Sequence, residues 1–135
     1  MKSVACKIAA LFSVLLLFSC KGPGLFNEFS VHPKTISVGA KGGEYKITSD
    51  PFDRVYILVN DKSYETERIN TQTGSKTYSV SGGWLSVSFK SSDGERPTIV
   101  QVIAEENTMG ESREATIIVS NVIDGDGRVQ VKQSK

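Results

Sequence analysis

Few groups in this chain are equipped for chemistry. Its 135 residues hold one histidine, His32, one tryptophan, Trp84, and two cysteines, Cys6 and Cys20. A hydrolytic nucleophile needs a base within hydrogen-bond reach, and a zinc site needs His and Cys in sets of three or four; this inventory assembles neither. His32 precedes Pro33 in an alternating stretch and reads as an edge-strand residue. Glu105 and Glu106 are adjacent, so on a strand they point to opposite faces and cannot jointly flank a glycosidic bond. Asp124-Gly125-Asp126-Gly127 has the look of a calcium loop but lacks the other oxygen ligands and the closing glutamate. It lies between two alternating runs, where Asp-Gly is a hairpin signal. Gly39-Ala40-Lys41-Gly42-Gly43 has no strand-loop-helix setting to aim backbone donors at phosphate. The expectation is a non-enzyme with no catalytic residue, no metal and no cofactor.

Trp84 remains. In the stretch SGGWLSVSFKSSDG, strict alternation sets it with Ser86 and Ser88, opposite Leu85, Val87 and Phe89, and so turns the indole outward. It also opens its strand directly behind two glycines, where a first residue can fold back beneath the end of a sheet. Two readings stand: a plug in the core, or a platform on which the C–H face of a sugar stacks.

The elements that would position it are strands. Ile36 and Val38, then Val55, Ile57 and Val59, then Val100, Val102 and Ala104, then Ala115, Ile117 and Val119, and finally Val129 and Val131 each share a face at a period of two. No segment holds apolar residues at helical spacing for more than two turns. Short strands separated by Gly, Asn and Asp clusters at intervals of about ten residues, roughly seven to nine of them, predict an all-β antiparallel sandwich. Phe29-Ser30-Val31 and Ile36-Ser37-Val38, split by Pro33, predict an edge strand that breaks and resumes. Ile99, Ile103 and Ile118 alternate away from the core, either as an exposed row that marks a protein contact or as residues covered by another segment.

The front end is different in kind. Lys2 and Lys7 precede an uncharged run from Ile8 to Phe18, too short for the roughly 20 apolar residues of a membrane-spanning helix. Leu17-Phe18-Ser19-Cys20 stands where bacterial lipoprotein signals carry their lipobox, and the leader resembles that family. The resemblance implies a signal peptide over residues 1–19, lipidation at Cys20, a tether over 20–27 and a domain over 28–135. Cys6 leaves with the leader, so no internal disulfide is expected. Each acyl methylene buried contributes about 0.8 kcal/mol, so several chains on one cysteine hold a protein stably to a membrane. The expected location is the outer membrane, lipid-anchored, facing the periplasm or the cell surface. Lys21, Gly22, Pro23 and Gly24 follow the cysteine, so the acidic signal that directs some Gram-negative lipoproteins outward is not present at this position. Loss of the leader removes two lysines and no acids, leaving 14 basic against 15 acidic residues. With no basic run longer than a pair, nucleic acid is not an expected partner.

Trp84-Leu85-Ser86-Val87-Ser88, a Val-rich strand running into Glu106-Asn107-Thr108, Arg113-Glu114-Ala115-Thr116-Ile117-Ile118-Val119, and Val129-Gln130-Val131-Lys132-Gln133 together resemble a BACON domain. The opening Phe29-Ser30-Val31-His32-Pro33 fits the same pattern. That resemblance implies an immunoglobulin-like β-sandwich of the kind found in Bacteroidetes proteins, often beside glycan-degrading modules. Tyr56 stands where the family usually has its first tryptophan, and the gap from there to Trp84 is longer than usual. The extra piece, roughly Asp61 to Ser81, is expected to be an inserted hairpin or pair of added strands. It either extends a sheet and covers an edge or presents Tyr64 and Tyr78 to a ligand. The functions implied are a glycan- or mucin-binding or adhesion module, or a structural spacer or accessory subunit of an envelope complex. The corresponding partners are a glycan or an envelope protein, with the membrane reached through the anchor alone.

Overall fold

The computed structural model describes residues 29–72, 74–92 and 94–135. The expected leader, Cys20 and the tether lie outside the described residues. Among the described residues, ten strands form two five-stranded sheets: β1 (Val31–His32), β2 (Thr35–Val38), β3 (Gly43–Ser49), β4 (Arg54–Val59), β5 (Lys62–Glu65), β6 (Lys76–Gly82), β7 (Leu85–Ser91), β8 (Ile99–Ala104), β9 (Arg113–Asn121) and β10 (Gly125–Gln133). One sheet runs β1-β3-β8-β7-β6 and the other β2-β10-β9-β4-β5. The β-sandwich expected from the alternation is present, with ten strands where seven to nine were expected.

The period-two residues meet between the sheets. Ile47, Leu85, Val87, Val100 and Val102 from one sheet, and Val55, Ile57, Ile117, Val119, Val129 and Val131 from the other, are essentially closed to solvent. Each such side chain contributes roughly 1.5–3 kcal/mol on burial. Phe52 and Phe89 meet edge to face with ring centroids 4.9 Å apart, filling one end of this layer.

Three arrangements decide points that the alternation left open. The broken edge strand changes sheets at its break: β1 pairs antiparallel with β3, and past the cis His32–Pro33 bond β2 pairs parallel with β10. Proline interrupts the ladder, and the chain uses the interruption to cross the sandwich. The inserted piece does not pair with itself. Its first half, β5, joins β4 across the two-residue Asn60-Asp61 loop, and its second half, β6, joins β7, so each sheet gains an edge strand. Both loop residues take left-handed backbone, φ 51° and 65°, the geometry of a tight hairpin turn that Asn and Asp tolerate. Where the two added edges face each other, a Cβ on Gly82 would lie 2.8 Å from Cδ1 of Tyr64 and 3.0 Å from Cγ2 of Ile57, so only glycine lets the seam close.

The row Ile99, Ile103 and Ile118 is also divided. Ile99 and Ile103 lie on β8, 43% and 48% exposed on the outer face of one sheet. Ile118 lies on β9 in the opposite sheet, 7% exposed, with Tyr56 and Arg128 as its cross-strand neighbours. Alternation identifies a face but not the sheet to which that face belongs.

The sandwich has two poles. At one, Asp50 and Ser30 exchange hydrogen bonds that fix the start of the described chain, and buried Asp53 accepts from Arg96 Nε at 2.7 Å and from the Val122 amide at 3.2 Å. At the other gather the Asn60-Asp61 loop, the Gly83-Trp84 loop, the segment from Glu105 to Ser112, and the chain end after β10.

Candidate functional site

Trp84 occupies the second position of the two-residue loop between β6 and β7, behind Gly83 at φ 67°. This turn frees the indole from the strand's alternation. Its side chain folds back under the pole and is 8% exposed. The Arg113 guanidinium, at the start of β9, lies over the ring with Cζ 4.6 Å from the centroid, within range of a cation–π attraction.

Arg113 is held in place from below. Its Nε donates to Oε1 of Gln133 at 2.7 Å, and Nη2 donates to the carbonyls of Glu106 at 3.2 Å and Glu105 at 3.4 Å. Gln133, 1% exposed, spends its amide hydrogens on the carbonyls of Glu105 at 2.8 Å and Gly39 at 3.0 Å. Asn107 ties the neighbouring loop, donating to the carbonyls of Glu111 at 2.7 Å and Ser134 at 3.0 Å and accepting from the Met109 amide. The loop ends are therefore knotted by side chains that replace a sheet ladder with side-chain-to-backbone bonds.

Above this knot opens a cleft of about 480 Å³ whose lining includes Asn60, Trp84, Glu105, Glu111, Arg113 and Glu114. The three carboxylates are exposed, and Arg113 is half-buried. The cleft thus offers acceptor oxygens at its rim and a stacked guanidinium-indole pair at its floor. Such a set can orient a polyhydroxylated molecule: carboxylates accept from hydroxyls, and guanidinium hydrogens donate to ring and hydroxyl oxygens.

The three aromatic residues singled out from sequence are not gathered in this cleft; Trp84 alone lines it. Tyr64 is half-buried and packs against Gly82, one residue before the Gly83-Trp84 loop. Tyr78 is buried on Phe89, stacked at 5.3 Å and 13°, with Lys76 Nζ over its ring at 5.0 Å and its hydroxyl accepting from the Asn70 amide at 3.3 Å. Lys76 also bridges to Glu67, whose hydrogen bond and charge raise the lysine's pKa above the usual value. Both tyrosines seal the seam beside the added strands. Arg113 and Gln133 were not singled out from sequence, because their partners lie far away along the chain.

Tyr56 lies on the outer face of the second sheet. Arg54 donates to its hydroxyl at 3.4 Å and to Glu65 Oε2 at 3.0 Å, and the Tyr56 hydrogen bond is the first cause of a raised Arg54 pKa, with the charge of Glu65 adding to it. The β9–β10 connection is a hairpin whose tip is Val122, Ile123 and Asp124. Among the described residues no group of three or more His, Cys, Asp or Glu is placed to hold a metal ion, and no helix is long and apolar enough to cross a membrane.

Two facing, mostly antiparallel sheets with a side-chain knot at one pole define the chain as a β-sandwich. Residues 69–134 match the model of the BACON family, whose description reads "Putative binding domain, N-terminal". The match begins in the inserted piece and takes in Trp84, Arg113 and Gln133 but not the Asn60-Asp61 loop or Gly39. Among solved structures, a Bacteroides ovatus GH5 xyloglucanase in complex with a XXXG heptasaccharide is similar at a TM-score of 0.50 and 22% identity, over 79% of this chain. The chain spans 19% of that protein's length, and the likeness is one of fold. No curated protein matches the sequence.

Proposed function

We propose that the protein is a non-catalytic binding module, attached at Cys20 to the outer membrane, that takes a neutral carbohydrate in the Trp84 pole cleft. The observation that carries this reading is the arrangement around Trp84 itself: an indole capped by Arg113 at the floor of an open cleft rimmed by Glu105, Glu111 and Glu114. Three carboxylates to one guanidinium disfavour sialylated or sulfated sugars and favour hydroxyl donors. The family description as a binding domain supports a contact role, and the likeness to a carbohydrate-active enzyme that carries a saccharide is compatible with a glycan ligand. The lipobox-like Leu17-Phe18-Ser19-Cys20 supports the anchor. Phe29 and the cleft lie at opposite poles, so a chain moored through its N-terminal segment presents the cleft away from the membrane.

The test is a glycan array followed by calorimetry with the wild type and with Glu105→Gln/Glu111→Gln/Glu114→Gln, whose side chains are exposed. Binding of a neutral oligosaccharide, weakened at least tenfold by the triple change with an unaltered melting temperature, is expected. Silence across neutral plant and host glycans removes the carbohydrate reading.

A second reading rests on Ile99 and Ile103, half-exposed on one sheet face. They would seat the sandwich against an envelope protein as a spacer or accessory subunit. In-cell cross-linking from Gln101, between them, is expected to capture a stable neighbour on this reading and none on the first.

A further inference from the structure

We propose that the tip of the β9–β10 hairpin, Val122 and Ile123, rests in the interfacial layer of the bilayer and holds the sandwich upright on its anchor. This inference depends on the lipid attachment proposed above. The two side chains are 60% and 75% exposed, the latter the most exposed large apolar residue among those described. They project at the pole where the described chain begins. Phe29, the first described residue, shares a hollow with Asp124, Gly125 and Gly127 of the hairpin, and a Cβ on Gly127 would meet Val31 and Phe29. The residues from Cys20 to Glu28 reach at most about 30 Å, which keeps this pole near any membrane that holds Cys20.

The loop is built to enter a water-poor layer. All three tip amides are satisfied internally: Val122 donates to Asp53 Oδ2 at 3.2 Å, and Ile123 and Asp124 donate to Asn121 Oδ1 at 2.8 and 3.4 Å. Asn121 is buried and in turn donates to the Pro51 carbonyl at 2.8 Å. No backbone donor of the tip is left bare, which lowers the cost of bringing the loop against the interfacial layer. The hollow beside the tip balances Lys34 and Arg128 against Asp124 and Asp126. Contact therefore rests on apolar burial, needs no anionic lipid and is insensitive to salt. Two side chains fall far short of the roughly 1,200 Å² of a standard protein interface. They suffice for a surface to which the anchor already confines the molecule at high effective concentration.

The experiment uses the lipidated chain in neutral phosphatidylcholine vesicles. With Cys20 carrying the lipid, a nitroxide on Asp124→Cys reads the tip, and one on Met109→Cys, exposed at the opposite pole, reads solvent. The ratio of collisions with oxygen to collisions with a polar nickel chelate is expected to be several-fold higher at 124 than at 109, unchanged in molar salt, and equal to that at 109 once Val122→Ser and Ile123→Ser are added. Vesicle flotation separates the two ideas. A chain that floats with equal ratios at 124 and 109, or whose ratio at 124 survives the serine changes, overturns the tip contact alone. A chain that does not float overturns the anchor and the tip contact with it.

Discussion

Gln133 is the residue on which the Trp84 pole turns, and replacing it with alanine tests the account of that pole. Its side chain is enclosed and makes three bonds under 3.1 Å: it accepts from Arg113 and donates to the carbonyls of Gly39 and Glu105. Truncation leaves the Gly39 carbonyl with only the Gly42 amide at 3.0 Å, leaves Glu105 with only the 3.4 Å contact from Arg113 Nη2, and frees Arg113 Nε. Two neutral hydrogen bonds at about 0.5–1.5 kcal/mol each and one from a charged group at about 1.5–3 are lost, and part of this returns because water reaches a half-buried arginine. The expected loss is therefore about 2–4 kcal/mol, a melting shift of about 10–25 °C for a domain of this size. Gln130, on the same strand, is half-buried and accepts only from Thr116 Oγ1 at 3.3 Å, so Gln130→Ala is expected to cost under about 1 kcal/mol. Urea unfolding of both variants, with Arg113→Ala and the Gln133→Ala/Arg113→Ala double, supplies the comparison. The double is expected to fall short of the sum by at least about 1 kcal/mol, because the singles break the same bond. A Gln133→Ala loss no larger than that of Gln130→Ala, or strict additivity, would refute the description of the pole as one coupled knot.

Trp84→Ala is expected to lower stability by about 3–5 kcal/mol in urea unfolding, since the ring is enclosed and also loses its guanidinium cap; a change within a few degrees of melting would return the indole to the surface. Gly82→Ala drives a methyl against Tyr64 and Ile57 and is expected to cost about 1–3 kcal/mol, partly recovered by Tyr64→Ala, as thermal melts of the pair would read. Asp53→Ala leaves the Val122 amide and Arg96 without their shared acceptor. Because Arg96 is partly in water the loss is expected at about 2 kcal/mol, and hydrogen exchange should quicken first at Val122.

Most strand faces were legible because burial on one side of a sheet imposes a period of two, and Val55-Ile57-Val59 or Val100-Val102-Ala104 obey it without exception. What escaped was assignment between sheets. Ile118 reads like Ile99 in sequence, yet its own sheet's neighbours cover it. Tyr64 and Tyr78 sit in one inserted piece, yet their strands part to opposite sheets. Trp84 escaped in a different way: its hairpin loop cancels the alternation, so neither inward nor outward could be read from parity. The knots at the poles join residues as distant as Gln133 and Gly39, and local sequence carries no mark of such pairs. The candidate cleft was legible only through its one tryptophan.

The parallel pairing of β2 with β10 has a mechanical consequence. Both strands run from the Phe29 pole toward the Lys135 pole, in register from Thr35↔Gln130 to Val38↔Gln133, and bonds from Gln130 to Lys34 and from Ser134 to Val38 extend the ladder. Tension applied to the two ends pulls β2 by its beginning and β10 by its finish, in opposite directions along the strand axis. Every rung of that ladder bears load at once, and none can open ahead of the rest as in a zipper. A sandwich so wired withstands drag between whatever holds one end and whatever tugs at the other.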